Sequence, residues 1–173
     1  MVLLPEETLM QKASLFILVL FLCAASFAAP QPLQSAASDD RHYFSARFED
    51  LTWQKIVPEL GADSPEIAIL RVDPATGATQ LLIRNPRQIH VRPHWHSANE
   101  TNTILRGTMV FECEGKRDTL TPGSFNYIPR KSVHQAWLPD NSLVFVTVDS
   151  PWDVNWVEGP PTQADVGASP PAN

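Results

Sequence analysis

His94-Trp-His96-Ser-Ala-Asn-Glu100-Thr-Asn-Thr-Ile-Leu-Arg-Gly107 holds two histidines one residue apart. On a β-strand, side chains two apart share a face, so both imidazoles point to one side and Trp95 to the other. Glu100 follows after a short turn, and Gly107 stands where the next strand must bend. A second stretch, Gly123-Ser-Phe-Asn-Tyr-Ile-Pro129-Arg-Lys-Ser-Val-His134, supplies a third imidazole from a strand able to close beside the first pair.

The residues around these stretches also read as strands. Ile67-Ala-Ile-Leu-Arg-Val72 and Ala78-Thr-Gln-Leu-Leu-Ile83 flank Asp73-Pro-Ala-Thr-Gly77, whose Pro and Gly are turn formers, which predicts a hairpin. Further strands are expected over 89–96, 101–105, 108–113, 124–128, 134–137 and 143–148, each bounded by Gly, Pro or Asp/Asn. No segment here carries a long helical period. Many short strands without intervening helices favour an all-β fold, a small antiparallel double-sheet jelly-roll barrel, since closing the sheets also disposes of exposed edges.

The two histidine stretches resemble the paired motifs of the cupin superfamily. In that pattern the metal ligands are the two His and the Glu of the first motif and the His of the second, which here are His94, His96, Glu100 and His134. Three of the five histidines in the chain occupy those positions. The sequence departs from the pattern at Gln88, where the first motif usually opens with Gly, at Lys131, where Gly usually follows the Pro, and at Leu138, where Asn usually closes the second. None of these departures touches a ligand.

Three imidazoles and one carboxylate form a mixed N/O set that suits one divalent transition metal, Mn, Fe, Zn, Ni or Cu, and the ligand list does not choose among them. An octahedral ion held by four protein ligands keeps two positions open for water, substrate or dioxygen, whereas a tetrahedral zinc would be filled and structural. Glu100 either coordinates throughout or swings off as a catalytic base. If the strand through the first motif stays regular, even-numbered residues share its inner face and place Arg92 and His90 in line with the ligands. Arg92 is then a candidate clamp for a substrate carboxylate and His90 a candidate proton shuttle, each set against a solvated or ion-paired role. Asn102 and Tyr127 are further candidates for the pocket wall.

Cupin chemistry implies a metal-dependent enzyme acting on a small organic molecule by oxidoreductase, dioxygenase-type chemistry. A non-catalytic module that binds a metal or small ligand, and isomerase or lyase chemistry, stay open beside it. There is no Gly-x-Ser-x-Gly elbow, no phosphate-cradling Gly loop and no Cys pair spaced for zinc. A formal net charge of -6 with no Lys/Arg cluster argues against a nucleic-acid partner. The cupin resemblance also makes a homodimer an expectation.

Residues 1–28 read as a secretory signal peptide, with an apolar run from Ala13 to Phe27 behind Lys12 and small residues at Ser26 and Ala28 for cleavage after Ala28. Glu6 and Glu7 suit the start of a signal poorly, so Met10 is the better initiator. The alternative, an uncleaved anchor helix, is disfavoured because the run falls short of the roughly 20 residues that span a bilayer. Export to a secreted or periplasmic location, with no membrane attachment after cleavage, is the expectation. Removing Cys23 with the signal leaves Cys113, which alternates with Met109 and Phe111 as a buried small hydrophobe, so the mature fold rests on its core rather than a disulfide. Residues 29–41 are expected to be a flexible linker, 42–158 the folded barrel, and 159–173 a disordered Pro/Ala-rich tail.

Overall fold

A computed structural model describes residues 43–172. The expected signal peptide and linker lie outside them. The described residues form two antiparallel sheets facing each other, a jelly roll as anticipated.

The strands are β1 (Gln54–Lys55), β2 (Glu66–Val72), β3 (Thr79–Asn85), β4 (Ile89–Trp95), β5 (Glu100–Arg106), β6 (Met109–Cys113), β7 (Lys116–Leu120), β8 (Phe125–Ile128), β9 (His134–Leu138), β10 (Ser142–Val148) and β11 (Asn155–Trp156). One sheet runs β1-β2-β3-β10-β5-β8 and the other β11-β4-β9-β6-β7. Every strand expected from alternation is present within a residue or two. The sequence reading passed over β1, β7 and β11: two of these are two-residue pairings, and Lys116-Arg-Asp-Thr-Leu120 is a charged strand with no buried residue to betray it.

Alternation decides what faces inward. On β5 the even positions Glu100, Asn102 and Ile104 are buried, whereas Leu105 beside them is exposed. Ile67, Leu81, Ile104, Met109, Phe111, Ile128, Leu138, Val144 and Val146 meet between the sheets as one core. Cys113 packs at the margin of this core, half-buried and unpaired, and burial pushes its thiol up from the ordinary value.

Two glycines make the loops possible. Gly77 has φ +74° in the β2–β3 hairpin, and a Cβ there would come within 2.5 Å of Pro151 Cγ, so only Gly lets the hairpin tip seat the segment after β10. Gly107 has φ +88° between β5 and β6, where a Cβ would stand 2.9 Å from that of Ser142.

The C-terminal residues depart from expectation. Rather than a disordered tail, the described residues after 160 are fastened to the barrel at several points. The amide of Gly167 donates to the carbonyl of Gln88 at 2.7 Å, Val166 bridges to Ile89, and Arg117 Nη1 donates to the carbonyl of Pro171 at 2.7 Å. Composition suggested disorder because the segment has no apolar period, yet it is fastened by backbone and side-chain hydrogen bonds, and Val166 packs against the cluster of Val57, Leu60 and Ile89.

Candidate metal centre

The two sheets bring the four sequence-predicted ligand residues to one place. His94 on β4 lies directly opposite His134 on the neighbouring β9, with ring centroids 4.2 Å apart. His96 follows β4 in the turn, and Glu100 opens β5 on the facing sheet. All four are buried. The imidazole ligand atoms of His94, His96 and His134 lie within 4.8 Å of one another, so this group could hold a metal ion. Glu100 Oε2 stands 3.0 Å from His96 Nε2 and 3.5 Å from His134 Nε2.

Each imidazole is held by its other nitrogen. His94 Nδ1 donates to the carbonyl of Arg92 at 2.7 Å, His134 Nδ1 to that of Ser132 at 3.0 Å, and His96 Nδ1 to that of Asp153. A carbonyl oxygen only accepts, so the proton sits on Nδ1 in all three rings and the Nε2 atoms face the centre. This is the arrangement that orients histidine ligands and fixes their tautomer. Glu100 Oε2 is buried and accepts no well-directed hydrogen bond despite its short distances. An orphaned carboxylate oxygen amid three Nε2 atoms fits a cation at their common focus.

The electrostatics agree. Burial, with the neighbouring His134 and His96, lowers His94 to about 3, and burial also lowers His134, so both stay neutral. Burial would lower His96 as well, but the Glu100 carboxylate and the Asp153 carbonyl outweigh it and raise it. Burial pushes Glu100 up, and contact with His96 more than reverses this, keeping the carboxylate ionised.

The turn carrying His96 is pinned by residues to which the sequence assigned no role at the centre. Ser97 N donates to Asp153 Oδ1 at 2.9 Å, Asn99 N to Asp149 Oδ1 at 2.9 Å, and Lys131 N to the carbonyl of His96 at 2.9 Å. Trp152 packs on His96 and Trp156 on His94, with centroids 4.8 and 5.1 Å apart. These contacts join residues 35 to 62 positions apart in the chain, and no local pattern announces them.

A cavity of about 80 Å³ runs from the imidazoles into the barrel between walls that include Val91, Met109, Phe111, Leu138, Val144 and Trp152. Asn102 is among its lining residues. His90, Arg92 and Tyr127 do not. Register along β4 and β9 shifts by one residue between Val91 and His94, so Arg92 and Pro93 together face Gln135 in a bulge. Pro93 has no N–H to keep the ladder regular, and the extra residue turns Val91 inward and His90 and Arg92 outward. His90 stacks on Trp137 at 4.5 Å, with Nε2 2.8 Å from Gln135 Oε1. Arg92 Nε donates to Asp165 Oδ2 at 2.8 Å. Tyr127 is 57 % exposed on the outer face of β8.

Among solved structures, the chain is similar to an RmlC-like cupin from Shewanella frigidimarina (16 % identity over 64 % of this chain and 93 % of that one, TM-score 0.53). It is similar too to the DMSP lyase DddQ from Ruegeria pomeroyi (17 %, 62 % and 61 %, TM-score 0.53) and to the polyketide cyclase RemF from Streptomyces resistomycificus (20 %, 67 % and 86 %, TM-score 0.51). At these identities the likeness is one of fold. No curated protein matches the chain. A family model described as "Domain of unknown function (DUF4437)" matches residues 31–155, and with two facing sheets around a buried histidine triad, the chain belongs to that family and has the cupin fold.

Proposed function

We propose that this protein is an exported metal-dependent enzyme acting on a small, largely apolar organic molecule by oxidoreductase, dioxygenase-type chemistry. The observation that carries the reading is the convergence of three Nε2 atoms and the orphaned Glu100 Oε2 at the head of an apolar cavity. His94, His96, His134 and Glu100 would hold one divalent metal, whose chemistry would be to bind and polarise substrate or dioxygen at its open positions. The chain supplies the rest. The carbonyls of Arg92, Ser132 and Asp153 keep each ring aimed, Trp152 and Trp156 shield the rings, and the aliphatic wall excludes water from the reacting end. Among the described residues, ionised Glu100 is the one carboxylate lining the cavity and the group able to take a proton from a bound substrate.

Lyase or cyclase chemistry is the second reading. Solved neighbours named as a DMSP lyase and a polyketide cyclase share the fold, and a buried carboxylate beside an ion serves proton abstraction as well as redox work. Export rests on the apolar run behind Lys12.

The test is elemental analysis of the purified mature protein, followed by oxygen uptake with phenolic, keto-acid and thiol substrates. One equivalent of a redox metal with substrate-dependent oxygen consumption is expected. Substrate turnover without oxygen uptake would move the assignment to lyase chemistry, stoichiometric metal without any turnover to a binding module, and absence of metal would overturn both enzymatic readings.

A further inference from the structure

The cavity has a second polar end. Asn85, the last residue of β3, is 1 % exposed and lines the same cavity as the imidazoles. Its Nδ2 donates to Ser142 Oγ at 2.9 Å, while its Oδ1, also buried, has no hydrogen-bond partner. Asn85 pairs with Ser142 at the start of β10, and Glu100 pairs with Val148 at its end. Six residues of β10 separate the two levels, about 20 Å of strand between the backbone positions of Asn85 and Glu100.

The lining is largely apolar, and besides Asn85 it includes Ile56, Val57, Pro65, Ile83 and Val144. A buried acceptor without a partner is destabilising, and leucine would fill the same position without that penalty. Among the described residues no Lys or Arg lines the cavity, and the sole carboxylate in its lining is Glu100, at the end of the imidazoles. An anion would meet a carbonyl oxygen and no cation there, and an ammonium would meet no carboxylate. What fits is a neutral donor on a hydrocarbon body.

We infer that Asn85 is a specificity-determining residue, accepting the hydroxyl of a neutral apolar alcohol or phenol whose body lies along the aliphatic wall toward the imidazoles. The inference rests on the cavity being the substrate site proposed above. It narrows the substrate class to hydroxylated apolar molecules and leaves carboxylic acids outside it.

Isothermal titration of the metal-loaded mature protein with 4-propylphenol and with its methyl ether tests this. The phenol should bind about tenfold more tightly, the worth of one buried hydrogen bond. In the N85L/S142A variant, which removes both polar partners together, the preference should fall to about onefold through loss of phenol affinity alone, with a melting temperature at or above wild type. Asn85→Leu alone serves as the second variant should the double one fail to fold. Equal binding of both probes by the wild type, binding of neither, or a preference that survives in the variants would overturn the proposal. Metal content measured on the same samples separates the two readings: equal binding of the two probes by a fully metal-loaded wild type removes the Asn85 subsite, whereas phenol preference in a wild type that retains no metal removes the metal centre and leaves the subsite standing.

Discussion

Which nitrogen carries the proton decides what three histidines can do, and here backbone carbonyls settle it. With Nδ1 committed to the carbonyls of Arg92, Asp153 and Ser132, the Nε2 lone pairs of His94 and His134 stay available because burial keeps both rings neutral. His96 is the ring at which protons compete, since Glu100 raises it. His96→Ala should therefore lower metal occupancy at least tenfold, as measured by elemental analysis, in line with the loss of an oriented ligand. Arg92→Ala should leave occupancy unchanged, because Arg92 faces away from the centre; metal loss in that variant would contradict its outward placement. The pair of histidines was legible from spacing alone. The Asp153 carbonyl that aims His96 was not, since it lies 57 residues along the chain.

Among the elements, β4 shows why a strand's parity is a fragile guide. Alternation held on β5, where Glu100, Asn102 and Ile104 are all buried, but Pro93 inserts a bulge into β4 and exchanges its faces midway. His90 and Arg92, read from sequence as cavity residues, instead hold the C-terminal segment through Asp165. Burial pushes the Asp165 carboxyl up, and Arg92 and the Thr162 amide outweigh it, so the group is held below the ordinary carboxylate range. A carboxyl lowered on folding adds stability that is present above its unfolded value and lost as pH falls through its folded one. Hydrogen exchange at the Gly167 amide, bonded to Gln88, should thus stay slow from neutral pH down to about pH 4 and quicken below it. Asp165→Ala should quicken it across the whole range, with metal content unaffected.

At the scale of the molecule, the centre draws on both sheets: His94 and His134 come from the five-stranded one and Glu100 from the six-stranded one. An ion shared between them would bind the folded chain and not the unfolded one, and so stabilise by mass action. At a free concentration a hundredfold above its dissociation constant this amounts to about 2.7 kcal/mol. Chelation should accordingly lower the melting temperature by several degrees, on the order expected for a domain of this size, and should leave His94→Ala unmoved. Leu81→Ala, at a fully buried core position, should cost about 2–5 kcal/mol in denaturant unfolding while the ligand residues stay in place. The division between sequence and structure has a physical basis. Period-two alternation, turn residues and the His-x-His spacing act over a few residues, so the strands, the jelly-roll class and the four convergent side chains could be read from the chain as written. The bulge at Pro93, the anchored C-terminus, the tryptophans over the rings and the orphaned amide of Asn85 depend on which distant strands become neighbours, a matter that only the packing of the two sheets decides.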